Sequence, residues 1–189
     1  MSALAQRTLS PPPAIRRATD ADVLAMAKVH IVSWRETYPG MLPEPMLARM
    51  SIAHEAIRWQ RMLDRPRAWG GTAAFVAEQN GAVVGYGTCG AQRTRPLHEA
   101  GFSGEIGELY VLRRAQRQSA GAGLMRAMAG ALFERGHHAM SLWVLEENGP
   151  ARRFYERLGG MPVAEKRAGL AEVAYGWSDL RHLLSNSEV

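Results

Sequence analysis

The stretch EIGELYVLRRAQRQSAGAGLMRAMAGALFER, from Glu105 to Arg135, constrains the fold more than any other part of the chain. It opens as a β-strand, passes through a turn of small residues that carries Arg and Gln, and continues as an amphipathic helix. A strand that feeds a helix in this way belongs to a layered α/β architecture. It also leaves backbone N–H groups and a helix N-terminus where an anion can sit. A phosphate-bearing ligand is therefore the first expectation.

The flanking sequence supplies the other layers. Ala14 to Ala18 reads as a short strand. Thr19 offers an N-cap with Asp22 in the capping-box position. Val23, Leu24, Ala27, Ile31 and Trp34 follow at helical spacing toward Tyr38, and Pro39 and Gly40 stop the helix. Pro43 to Arg65 predicts one or two further helices, with Met46, Leu47, Met50, Ile57, Trp59 and Met62 as core candidates. Thr72 to Glu78 and Ala82 to Gln92 read as strands joined at Asn80–Gly81, a type I′ hairpin signal. Gly85, Gly87 and Gly90 suggest a bulge or close packing in the second of them. Thr94 to Gly104 predicts a loop. After the central motif come a strand at 139–145, a helix from Pro150 to Leu158, and strands at 161–166 and 170–180. This order predicts one α/β domain over residues 14–184, its mixed sheet antiparallel at the hairpins with a helical crossover in the middle. Residues 1–13, with Pro11, Pro12 and Pro13, are expected to form a flexible tail, and residues 185–189 a second one.

Charge and cysteine content narrow the function. The chain has 189 residues, a net charge of +5 and one cysteine, Cys89. No apolar run approaches the roughly 18 residues of a membrane span, and the nearest, Ala120 to Phe133, is interrupted by Arg126. One cysteine allows no intrachain disulfide, and MSALAQRTLSPPP lacks the apolar core of a signal peptide, so the expected compartment is the cytoplasm. Cys89 reads as a small strand residue rather than a nucleophile. The histidines show no metal-ligand spacing, so no metal is expected. Positive charge is nearly all arginine, scattered in pairs such as Arg16–Arg17, Arg113–Arg114 and Arg152–Arg153. That favours an acidic cofactor over nucleic acid as the partner.

Three anion-binding patterns compete for the turn. A P-loop needs Lys and Ser/Thr after its second glycine, and Gly121-Ala-Gly123-Leu-Met has neither. A dinucleotide fingerprint needs a third Gly or Ala where this chain has Arg126. The third pattern fits. LYV, then Gln, small residues and LM, resembles the acetyl-CoA pyrophosphate motif of the GNAT superfamily of N-acetyltransferases, Q/R-x-x-G-x-G/A after a strand. Gln118 to Gly123 matches that pattern letter for letter. Starting at Gln116 instead keeps Leu124, Met125 and Gly136 where the family has them, and this register is preferred. It makes Ser119 a departure at the first glycine, where a positive φ costs a serine about 1 kcal/mol. Arg113 stands where the family has proline. A second block, SLWVLEENGPARRFYERLGG, is similar to the family segment W-V-L-x-x-N-x-x-A-x-x-F-Y-x-x-x-G-F, with Gly160 replacing the last aromatic. The resemblance runs from residue 14 to residue 181.

The resemblance implies a GNAT-like α/β fold: a mixed, mostly antiparallel sheet of about six or seven strands, splayed parallel strands at its centre, and flanking helices. It implies acetyl-CoA as co-substrate. Leu109, Tyr110 and Val111 would follow the pantetheine arm. Gln116, Arg117, Gln118, Ser119, Ala120, Gly121 and Ala122 would surround the pyrophosphate, with Arg113 and Arg114 as further charge partners. Asn148 and Ala151 would contact the CoA arm, and Tyr155 would stand near the sulfur as the acid. Glu105 or Glu108 would be the base. Residues three apart fall on opposite faces of a regular strand, so only one of the two is expected to face the site. Trp34, Arg35 and Tyr38 are the acceptor-side candidates, in a segment that covers the acceptor in a bacterial subgroup. Arg35 would pair with a substrate carboxylate, while Trp34 also fits the core stripe. The expected function is direct transfer of acetyl to a primary amine of a small molecule or peptide. Three alternatives stay open: a non-catalytic acyl-CoA sensor on the same fold, an acetyltransferase acting on a protein N-terminus or lysine, and an RNA-binding protein. Family members are often homodimers.

Overall fold

The computed structural model describes residues 11–69 and 71–185. The expected tails lie mostly outside these residues. Pro13, at the end of the first, is buried, and Ser185, at the start of the second, closes the last helix.

Seven strands form one sheet: β1 (Ala14–Arg17), β2 (Ala73–Gln79), β3 (Ala82–Ala91), β4 (Gly104–Val111), β5 (Met140–Leu145), β6 (Met161–Lys166) and β7 (Glu172–Trp177). Their order across the sheet is β1-β2-β3-β4-β5-β7-β6, and every neighbouring pair is antiparallel except β4 with β5. The hairpin at Asn80–Gly81 forms as its residues dictate, with φ of 52° and 74°. The helices are α1 (Val23–Thr37), α2 (Glu44–Ala48), α3 (Ile52–Asp64), α4 (Arg95–Glu99), α5 (Ala120–Phe133), α6 (Gly149–Arg157) and α7 (Arg181–Ser185). The segment expected to be a loop thus holds α4, whose first turn accommodates Pro96.

Two cores lie on opposite faces of the sheet. Ala73, Phe75 and Ala77 of β2 point toward α5, and Ala74 and Val76 point toward α1 and α3. A strand covered on both faces reads as a continuous apolar run, which is what AAFVA is. Leu124, Met125, Met128 and Leu132 of α5 are fully buried at helical spacing. On α3 the core expectation holds for Trp59 and Met62, whereas Ile57, and Met46 on α2, are exposed. No residue of α2 is buried and α3 buries only Trp59 and Met62, so their other apolar residues stay partly or fully exposed.

The N-terminal strand is tied to α1 by Asp22. Its carboxylate accepts the Thr19 N–H at 2.8 Å and hydroxyl at 3.0 Å, and it holds the Arg16 guanidinium at 2.7 and 2.9 Å. The Arg16 hydrogen bonds outweigh burial and hold this carboxyl down at about 2.

Two departures from regular geometry matter most. The first is in β4. Thr88 pairs with Glu108 and Cys89 with Ile106, so Gly107 has no partner residue on β3 and forms a bulge. A Cβ on Gly107 would sit 3.0 Å from the Thr88 hydroxyl, which explains the glycine. The second is the turn into α5. Arg117 and Ser119 both adopt left-handed conformations, with φ of 59° and 63°. Ser119 is the residue immediately before the helix. A positive φ there is what the register starting at Gln116 requires.

Two stability measurements follow. Arg117→Gly and Arg117→Val remove the same charge, but a β-branched residue tolerates φ of 59° far less well. Valine should melt lower, by about 1–2 kcal/mol. Equal melting of the two variants would contradict the left-handed turn. Asp22→Asn should cost about 1–2 kcal/mol at pH 7, because Arg16 is partly solvent-screened. The folded-state carboxyl is depressed, so this stability is complete above the unfolded value of about 4 and is lost as pH falls toward about 2. Denaturant midpoints of the two proteins should therefore converge in acid.

Candidate active site

β4 and β5 pair only at Gly104–Met140 and Glu105–Ser141. Beyond those two pairs the strands part, and Leu109, Tyr110 and Val111 lie on the stretch of β4 without a β5 partner. Their backbone groups on that side, apart from the Val111 carbonyl held by Gln116, remain available to an extended ligand. Parting of two parallel strands at the centre of the sheet is the splay expected from the sequence.

The turn into α5 stands at this opening. The backbone bond that starts the helix runs from the Gly123 N–H to the Ser119 carbonyl at 2.9 Å. The N–H groups of Ala120, Gly121 and Ala122 therefore come before the helical ladder. Gly121 is needed for packing, since a Cβ there would meet the Phe154 ring at 3.0 Å. The two glutamines brace the loop. The Gln116 amide donates to the Val111 carbonyl at 3.1 Å, and the Gln118 amide donates to the Arg114 carbonyl at 2.9 Å while accepting from Gln79 at 2.7 Å. Arg114 and Arg117 are exposed. Arg113 has a different task from the one expected: its N–H donates to the Glu36 carboxylate at 2.9 Å and its guanidinium to the Glu36 carbonyl, linking the loop to the end of α1.

On the far side of the opening, Asn148 caps α6 by accepting the Ala151 N–H at 3.2 Å. This fixes the start of the helix that carries Tyr155. The Tyr155 ring packs against Phe154, Tyr175 and Trp177, with centroids 5.3, 6.0 and 6.1 Å away. Burial, reinforced by the nearby Tyr38, pushes its phenol above the ordinary tyrosine value.

Glu105 and Glu108 correct a sequence expectation. They do not fall on opposite faces of β4. The bulge at Gly107 inserts one residue between them, the alternation slips, and both line one cleft between α3 and the sheet. Each is paired with an arginine. Glu105, itself buried, accepts from the Arg93 side chain at 2.7 and 3.1 Å and from the Arg93 N–H at 2.9 Å. Glu108 accepts from Arg58 at 2.8 and 3.3 Å and from the Tyr86 hydroxyl at 2.5 Å, with His30 Nδ1 3.3 Å away. Burial alone would raise the Glu108 carboxyl; the His30 hydrogen bond and the adjacent Arg58 reverse this and hold it below its usual range. Trp59 and Trp69 form part of the cleft wall.

Of the acceptor-side candidates, Trp34 and Tyr38 come together. Trp34 stacks on His30 at 5.1 Å and meets Tyr38 edge-on at 5.0 Å, and Tyr110 of β4 packs against His30 at 5.2 Å. Arg35 is not brought in: it is exposed, about 100° around the helix from Trp34. His30, Arg58, Tyr86 and Arg93 are the site residues that sequence reasoning missed. His30 was legible, since it lies four residues before Trp34 on the same helical stripe. Arg58 and Arg93 carried no signal, because their partners are 50 and 12 residues away.

A second cavity of about 340 Å³, lined by Phe133, His138, Ser178, Asp179 and Arg181, lies at the opposite end of α5. That is about 20 Å from the turn, so it plays no part in this site. Among the described residues no cluster of three metal-ligating side chains occurs, and no helix is long and apolar enough to cross a membrane.

Comparison with known proteins agrees with this geometry. The family model described as Acetyltransferase (GNAT) family matches residues 32–160. The chain is 33% identical over 175 residues to the Bacillus subtilis protein named Uncharacterized N-acetyltransferase YuaI, covering 89% of this chain and 95% of that one. It is 30% identical over 141 residues to an uncharacterized N-acetyltransferase of Archaeoglobus fulgidus, covering 75% and 88%. Among solved structures, the PaiA N-acetyltransferase of Thermoplasma acidophilum in complex with coenzyme A superposes with a TM-score of 0.71 at 16% identity, over 87% of this chain and 98% of that one. YncA of Salmonella typhimurium with its cofactor acetyl-CoA superposes at 0.62 and 20% identity, over 88% and 93%. The splayed sheet, the two sequence blocks and these matches agree: the chain belongs to the GNAT family of acetyltransferases.

Proposed function

We propose that this chain transfers the acetyl group of acetyl-CoA to a primary amine of a small molecule or peptide, by direct attack while both substrates are bound. The observation that carries this reading is the opening between β4 and β5, with the N–H groups of Ala120 to Ala122 at one side and Tyr155 at the other. The residues present suit acetyl-CoA. An extended amide-bearing arm can pair with the free edge of β4 at Leu109, Tyr110 and Val111. A pyrophosphate suits the N-terminus of a 14-residue helix, where N–H groups and the helix dipole favour negative charge. Arg114 and Arg117 add positive charge there. The complexes of PaiA and YncA, with coenzyme A and acetyl-CoA respectively, belong to proteins of the same fold.

The chemistry divides among named groups. A backbone N–H near Val111 polarises the thioester carbonyl as an oxyanion donor does. Tyr155 stays protonated at neutral pH, because its phenol is raised, and it hydrogen-bonds the leaving sulfur. A thiolate is a weaker base than this phenolate, by more than the ordinary gap of about 1.5 pH units. Full proton transfer from Tyr155 is therefore uphill, and its contribution is the hydrogen bond. An amine with a pKa near 10 is about one-thousandth neutral at pH 7, so a base must take its proton before attack. Glu105, six residues and roughly 20 Å before Val111 along β4, serves through a chain of waters, with Arg93 fixing its carboxylate. The acetyl–sulfur bond breaks as the acetyl–nitrogen bond forms, and the second amine proton passes, through water, to the departing thiolate, leaving the amide and the CoA thiol.

The test is a panel of amines with acetyl-CoA, following released thiol. Tyr155→Phe should lower kcat by about 10²-fold or more while acetyl-CoA affinity stays within about twofold. Unchanged turnover would remove the hydrogen-bonding role. Glu105→Gln should lower kcat/KM at pH 7 by a comparable factor, and its rate should climb toward that of the wild type near pH 10, where the amine loses its proton unaided. A deficit that does not shrink with rising pH would sink the base assignment. Tight acetyl-CoA binding with no transfer to any amine would favour the sensor reading instead.

A further inference from the structure

Glu108 sits at the end of a hydrogen-bond chain whose direction follows from its ionised carboxylate. The Tyr86 oxygen lies 2.5 Å from Glu108 Oε2 and 2.6 Å from His30 Nδ1. A phenol has one proton, and two oxygens this close need that proton between them. With Glu108 ionised, Tyr86 donates to it, and in the tautomer that carries a proton on Nδ1 His30 donates toward the Tyr86 oxygen and, at 3.3 Å, toward Glu108 Oε2. The chain runs from His30 to Tyr86 to Glu108, with each donor aimed at the carboxylate. Arg58 supplies two more donors, at 2.8 Å to Oε1 and 3.3 Å to Oε2. A network of this polarity stabilises an anion, and moving a proton off Glu108 along it would require every link to reverse. One lone-pair site of Oε1 remains unused, on a residue that lines the cleft.

The charges around Glu108 point the same way. Arg58 faces it from α3, with Glu55 on the other side of Arg58; His30 faces it from α1, Tyr38 from just after α1, Tyr86 from β3 and Tyr110 from β4. The Glu105–Arg93 pair shares the cleft. Two carboxylates and two guanidinium groups line the cleft, so its wall is balanced in charge in a protein whose net charge is +5. The cleft is less positive than the molecule as a whole.

We infer that Glu108 is an ammonium anchor. It receives the acceptor as a cation, and His30 and Tyr86 are positioning residues that hold its carboxylate ionised and aimed into the cleft, so that proton removal falls to Glu105. The two glutamates, made neighbours by the Gly107 bulge, then have separate roles. That the cation is an acetyl acceptor rests on the proposed transfer reaction; the hydrogen-bond chain and its consequences do not.

The test is a carboxyl carbon-13 NMR titration of the protein labelled at glutamate, with the Glu108 resonance identified by its loss in Glu108→Gln. Ethylammonium chloride serves as the cationic probe and ethanol as its neutral counterpart. Ethylammonium should shift the Glu108 resonance saturably, and ethanol should not. Tyr86→Phe should raise the Glu108 titration midpoint by about one pH unit and weaken the ethylammonium response about three- to tenfold, with acetyl-CoA affinity within about twofold as the check on folding. If Tyr86→Phe loses acetyl-CoA binding as well, His30→Phe, which keeps a ring to stack on Trp34, decides in its place. An unchanged midpoint, or equal responses to ethanol and ethylammonium, would overturn the inference. Because the titration needs no turnover, failure of every amine in the transfer assay would count against the proposed reaction and leave this measurement standing.

Discussion

The parting of β4 and β5 after Glu105–Ser141 is the constraint on which the rest of the molecule depends. Parallel strands normally run on together, because each unpaired N–H or C=O in a buried setting costs free energy. Here the sheet gives up that pairing at its centre, and neighbouring elements compensate. Gln116 takes the Val111 carbonyl, α5 brings its N-terminus to the gap, and Asn148 fixes the start of α6 on the other side. The left-handed backbone at Arg117 and Ser119 is the local strain that turns the chain into α5 there. A ligand with amide groups at one end and phosphates at the other matches the pattern left open.

The bulge at Gly107 acts on the same strand and sets the chemistry. Without the extra residue, Glu105 and Glu108 would straddle the sheet, and one of them would enter the core beneath α5. With it, both enter one cleft. An unpaired carboxylate in such a place costs several kcal/mol, and the pairs with Arg93 and Arg58 offset that cost. The Arg58 pair also helps hold Glu108 ionised in the cleft that the proposed amine would enter.

Much of the fold was legible beforehand. The Asn80–Gly81 hairpin, the AAFVA strand, the capping residues Thr19 and Asp22 and the apolar stripe of α5 each follow from local chemistry, and each forms at or within a few residues of its expected place. The site was legible where it rests on backbone: the turn from Gln116 to Ala122 and the strand before it. It was illegible where it rests on long-range pairing. Nothing near Arg58 or Arg93 indicates that a glutamate waits across the cleft. The facing of Glu105 and Glu108 depended on one unpaired glycine, which the two-residue alternation of a strand cannot reveal. Short apolar segments misled for the same reason: whether Ile57 or Met46 is covered depends on neighbours far away in sequence.

The central claim is that acetyl-CoA occupies the gap between β4 and β5 with its phosphates at the start of α5. Amide hydrogen exchange of the whole protein, with and without acetyl-CoA, tests it directly. The account predicts slowed exchange confined chiefly to residues 106–111 and 117–123, on the unpaired stretch of β4 and the turn into α5. Protection elsewhere with those two segments unchanged would contradict it.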